Sequence, residues 1–286
     1  MSALNASRLD MLNPELDREQ AVALSVKRAE AEQHGPAALR KRLDGAGRIA
    51  QAEAWKADAN VKFSDKAYNA SLAGYVAGIW MLAKGDPQAP WIVIYPRTAQ
   101  EEVPPFAEVP AALGAGSGDE EKLPSELEEK RDTLRVTLHL NLAAAALQIK
   151  EWSIARTACE FVLATQGDAA SLMARYWLAV ALDGQGDIDE AHDVLIDLIE
   201  LDEENAAARK LLEKIVAAIH FRLAIKLKGQ GKVDEAHSVL TRLLAEFDPD
   251  HEDAKWLLKE VEAIQQKSAL LKGVREREKE ATRAGQ

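Results

Sequence analysis

One block of this chain occurs twice, and it restricts the fold more than any other feature. Gly184-Gln185-Gly186 leads into Asp189-Glu190-Ala191-His192 and then Val194 and Leu195. The same order returns 45 residues later as Gly229-Gln230-Gly231, Asp234-Glu235-Ala236-His237, Val239 and Leu240. A glycine turn followed by a helix start, with a small residue at a fixed place, is the pattern of a repeated helical hairpin. Such a unit cannot bury its apolar face alone and has to stack on a neighbour. The block therefore predicts an all-α repeat protein and a binding surface before any catalytic group is considered.

The rest of the composition agrees with that reading. With 286 residues, 47% of them hydrophobic, the chain can build one large core or two small ones. Aromatic residues make up only 5%, and alanine runs such as Ala143 to Ala146 suit closely approaching helices. A net charge of −11 argues against nucleic acid as the main partner, because phosphate binding needs a basic surface. The single cysteine, Cys159, excludes an internal disulfide framework and fits a reducing compartment. Met1 to Gln20 lacks an apolar signal core, and no run approaches ~18 apolar residues. The expectation is a cytoplasmic protein without membrane insertion.

Glycine and proline divide the chain. Asn13-Pro14-Glu15 opens a first helix that His34-Gly35-Pro36 stops, and a short helix follows over 37–43. The next begins near Gly47 and runs through Trp55 and Phe63, Asp65-Lys66 turns, and a partner helix spans 68–82. Seven of the ten prolines then fall between Lys84 and Pro124, which marks a long loop rather than a repeat. Inside it, Trp91 to Tyr95 is an apolar run of strand character, read either as a segment for docking or plugging a groove or as a packed loop. Beyond it, helices are expected at 125–149, 152–165, 169–183, 187–200, 205–228, 232–246 and 250–272, ahead of a charged tail.

These residues resemble a known family, the tetratricopeptide repeat (TPR), and among its members the TPR domains of large immunophilin-type co-chaperones and related small TPR proteins. Lys56, Asn60 and Phe63, followed by Tyr68, Leu72 and Tyr75, resemble the family's opening hairpin. Leu138 to Ala144, with Trp152, Ala155 and Cys159, resembles its second hairpin. The two Gly-Gln-Gly blocks supply the third and fourth, and Asp248-Pro249 resembles the usual close. The resemblance implies a solenoid of about four hairpins over 49–266, with an N-terminal helical extension at 1–48. It also implies a Pro-rich insertion at 85–124, a C-terminal capping helix and a charged tail at 267–286. The spacing departs from the family, since ~34 residues per repeat is usual and the last two units lie 45 apart. The extra length is expected in the helix around Ala206 to Lys228.

The family resemblance also implies a ligand. Many such domains hold the acidic C-terminal peptide of heat-shock chaperones in a two-carboxylate clamp, which needs several donors on rigid helices. Lys56 and Asn60 are i, i+4 on one helix face, and Asn141 matches on the second unit. Counting 34 residues on from Asn141 reaches Arg175, but Ser171 stands where its lysine companion would be. Counting back from Gly186 puts Trp177 in the arginine's place instead. The clamp candidates are therefore Lys56, Asn60, Asn141 and Arg175.

Competing chemistries find little support. Asp-Glu-Ala-His occurs in helicases, but here it recurs after a glycine turn, where acids suit a helix start. No phosphate-binding Gly-x-x-x-x-Gly-Lys-Ser/Thr loop accompanies it. The six histidines form no His-x-x-x-His pair or Cys/His cluster, so neither a metal nor a cofactor is expected. Cys159 reads as a core residue. Trp256 to Arg277 is amphipathic and reads as a capping helix, with calmodulin binding, known in related immunophilins, as the alternative. The function implied is a non-enzymatic adaptor binding a peptide in a concave groove; the alternative is a scaffold subunit of a larger assembly.

Overall fold

The computed structural model describes residues 36–83, 123–165 and 169–284. The helix expected after Asn13 and the Trp91 to Tyr95 run lie outside these residues. Among the described residues there are ten helices, packed in neighbouring pairs, and no strand. The chain divides into two compact units, residues 1–165 and 166–286.

In the first unit, α1 (Pro36–Arg42) leads to α2 (Gly45–Ser64) and α3 (Tyr68–Met81). The long α4 (Ser125–Gln148) and α5 (Trp152–Thr165) complete it. The sequence puts the start of α2 near Gly47; the start lies two residues earlier because Asp44 is the cap, its carboxylate accepting from Gly47 N at 2.7 Å. The residues of α3 are apolar on every side, and α2 and α4 enclose it, burying Leu72, Tyr75, Val76, Ile79, Trp80 and Met81. Gly74 lets α2 approach closely, since a Cβ there would stand 2.8 Å from the Ala59 Cβ. The buried Arg40 closes the far end of α3. Its Nη2 donates to the Ala83 carbonyl at 2.6 Å, and its guanidinium lies 5.3 Å from the centre of the Trp80 ring. A cation there complements the negative end of the helix.

The second unit comprises α6 (Ala169–Gln185), α7 (Ile188–Leu201), α8 (Ala206–Gly229), α9 (Val233–Arg242) and α10 (Glu252–Ala284). Two boundaries differ from the sequence expectation. The helix expected over 232–246 is α only to Arg242 and closes in a π-helical turn, Leu243–Phe247. The last helix passes Lys272 and runs to Ala284, because Glu, Lys, Arg and Ala after Gly273 all favour helix and no breaker follows. Its first turns pack Ala254, Leu257 and Val261 against Ala224, Leu240 and Leu243, whereas Leu270, Leu271 and Val274 are exposed. The 45-residue offset has the expected origin: α8 spans 24 residues where α6 spans 17.

Four hairpins share one turn. The pairs α2–α3, α4–α5, α6–α7 and α8–α9 are joined at Lys66, Lys150, Gly186 and Gly231, all with positive φ, at 61°, 60°, 85° and 75°. The next residue's N–H reaches back across the turn, Ala67 to Lys62, Glu151 to Ala146, Asp187 to Leu182 and Lys232 to Leu227, at 2.8–3.0 Å. This is the Schellman arrangement, which uses up carbonyls otherwise orphaned at a helix end. Seven residues before each turn stands a fully buried alanine, at 59, 143, 179 and 224. Five residues after it stands Ser71, Ala155, Ala191 or Ala236, each 0% exposed. Glycine marks only two of the four turns, and the other two place lysine where glycine is the unstrained residue. Lys150→Gly is therefore expected to raise stability by about 1 kcal/mol through relief of left-handed strain. Gly186→Lys should lower it by a similar amount. Urea midpoints at constant m-value measure both, and an unchanged midpoint for Lys150→Gly would show that the lysine side chain compensates.

Candidate functional site

Helices α2 and α4 run side by side in the same direction, and two side-chain bridges cross the cleft between them. At one end Lys130 Nζ meets the Glu53 carboxylate at 3.0 Å. At the other, Asn141 donates from Nδ2 to Asn60 Oδ1 at 3.1 Å. The same Asn60 oxygen accepts from the Tyr75 hydroxyl at 2.7 Å. Tyr75 is buried on α3 at 2% exposure, so a core side chain fixes the amide. With its oxygen occupied by two donors, the Asn60 amide keeps its N–H groups for a further acceptor. Lys56, one turn before Asn60, lies between the two bridges and is in no ion pair among the described residues. The cleft is also lined by Glu126, Glu129, Thr133, Leu134 and Thr137.

Three of the four sequence candidates, Lys56, Asn60 and Asn141, are thus brought to one cleft. Arg175 belongs to the second unit, where it donates to Ser171 Oγ at 3.0 Å one turn earlier on α6. The shared turns supply a frame for comparing hairpins. Asn141 stands nine residues before Lys150, and the residue nine before Gly186 is Trp177. Tyr75 carries no signal in the sequence beyond that of a core aromatic.

The same frame exposes a feature the sequence reading misses. Lys56 and Asn60 stand ten and six residues before Lys66; Phe221 and Ile225 stand ten and six before Gly231. Those two residues, with Trp256 and Leu257 of α10, line an apolar cleft inside the second unit. Trp256 is 66% exposed there, and the Lys228–Glu260 ion pair, at 2.5 Å, borders it. Equivalent positions are therefore polar in one hairpin and apolar in another.

Two buried groups with acid–base potential are held out of use. Burial pushes the Cys159 thiol up to about 12, with the Glu160 charge adding to the effect, so the nucleophilic thiolate is suppressed. His139 is fully buried, stacked on Phe161 with ring centres 3.7 Å apart. Its Nδ1 donates to the Arg135 carbonyl at 2.7 Å. Burial pulls its pKa down to about 3, the Arg135 charge acting the same way and the backbone bond opposing. The acids of the repeated block occupy the first turns of α7 and α9, where Asp189 pairs with Arg222 and Asp234 accepts from Gln265 Nε2 at 2.7 Å. No group of three potential metal ligands occurs among the described residues, and none of their helices is long and apolar enough to cross a membrane. Neither a known protein-family model nor a curated protein matches the chain.

Proposed function

We propose that the protein is a TPR-type adaptor that binds the carboxyl-terminal segment of a protein partner along the α2–α4 cleft, without catalysis. The observation that carries this reading is the Asn60–Asn141 bridge, buttressed by Tyr75, with Lys56 one helical turn away. Its amides are donors held by helices rather than loops, and such pre-organised donors suit a carboxylate. The four equivalent turns, each framed by buried small residues, support the repeat assignment. A free-carboxylate peptide should bind and its amidated twin should not. Lys56→Ala should weaken binding by about 10- to 150-fold, the loss of one charged hydrogen bond of ~1.5–3 kcal/mol. The melting temperature should barely change, because a half-exposed lysine contributes little to folding. Titration calorimetry with both peptides measures this, and equal affinities would overturn the carboxylate reading.

A scaffold role is the second reading, and the exposed Trp256, Leu270 and Leu271 favour it. It predicts that Trp256→Ala abolishes incorporation into an assembly while leaving peptide binding at Lys56 intact.

A further inference from the structure

The charges along the α2–α4 cleft are ordered, and their order restricts the ligand. Glu53 and Lys130 neutralise each other across one bridge. Of the remaining charged lining residues, Lys56 lies toward the Asn60–Asn141 bridge. Glu126 and Glu129 lie on the opposite side of the Lys130 bridge, in the first turns of α4. One end of the cleft thus offers a cation and amide donors, and the other offers two exposed carboxylates. An acidic tail of the kind the family resemblance implies would meet Lys56 favourably but would then run into Glu126 and Glu129.

We infer that the cleft selects a C-terminal segment whose free carboxylate is preceded, about five residues upstream, by a lysine or arginine. This rests on the adaptor reading and adds the chemistry of the partner. The spacing follows from the helix. Asn141 and Glu129 are twelve residues apart on α4, or ~18 Å at a rise of 1.5 Å per residue. An extended peptide covers that distance in about five residues. Glu126 lies three residues further along the helix, so a basic side chain five or six positions from the end reaches one carboxylate or the other. The acid end therefore discriminates against acidic segments and raises the association rate of basic ones, and both effects weaken with salt.

The test is selection of random decapeptides with free C-termini on the full chain, followed by titration of one enriched sequence. Enrichment of Lys or Arg five or six residues from the end is the expected result. The Glu126→Gln/Glu129→Gln double variant should bind the enriched peptide about tenfold more weakly, while a twin carrying alanine at the basic position should bind both proteins alike. Carboxylate-dependent binding with acidic residues enriched there, or with no preference, would overturn this inference and leave the adaptor reading intact. Peptides that bind equally well when amidated, or no enrichment at all, would remove the adaptor reading and this inference with it.

Discussion

Below about pH 6 the protein is expected to lose stability through His139 with a slope that approaches about 1.4 kcal/mol per pH unit, and His139→Phe should remove that loss. The sign follows from the two states. In the fold, burial against Phe161 holds the imidazole pKa down to about 3, whereas the unfolded chain titrates near ~6.5. In the window between these values the unfolded state binds the additional proton, so stability is full above the upper value and falls steadily toward the lower one. Phenylalanine keeps an aromatic ring against Phe161 but is larger and loses the Nδ1 bond to the Arg135 carbonyl, and neither cost varies with pH. Carboxylates titrate in both proteins and cancel in the comparison. Urea melts of the two at half-unit pH steps give the slope; parallel curves would mean that His139 gains a proton inside the fold without penalty.

The second large effect is steric. Ala191→Leu and Ala236→Leu are each expected to cost about 1–3 kcal/mol, because a close-packed helix crossing cannot absorb three extra carbons. Both alanines are 0% exposed, and each belongs to a hairpin whose other helix carries a buried alanine, Ala179 or Ala224. Asp189→Asn, on the exposed first turn of α7, should cost under ~1 kcal/mol. Leucine variants as stable as the parent would show that these positions are not crossings. ATP hydrolysis abolished by Asp189→Asn would indicate an enzyme instead.

The helices were legible because glycine, proline and acidic first turns punctuate this chain. The turns at Gly186 and Gly231 were readable for the same reason. Those at Lys66 and Lys150 were readable only as breaks between helices, because lysine does not itself favour the left-handed backbone it adopts there. Within the cleft, helical spacing puts Lys56 and Asn60 on one face, and only the family resemblance groups them with Asn141. The direct Asn141–Asn60 hydrogen bond was not legible, because 81 residues and the Pro-rich segment separate the two asparagines. Tyr75 was hidden in another way: its ring belongs to the core while its hydroxyl orders the cleft. The apolar cleft at Ile225 and Trp256 escaped notice because apolar residues at helical spacing read as core until their exposure is known.

The shared turn has a consequence for how the protein opens. Ala67, Glu151, Asp187 and Lys232 each donate backward to the helix just ended and accept forward into the helix just begun, from Ser71, Ala155, Ala191 and Ala236. One residue thus terminates one helix and starts the next, so fraying of the first loosens the second at its opening bond. Each pair of helices should open as one cooperative piece in native-state hydrogen exchange. The amides on the two sides of a turn should exchange with a single free energy, and the boundaries between independently opening segments should fall between hairpins.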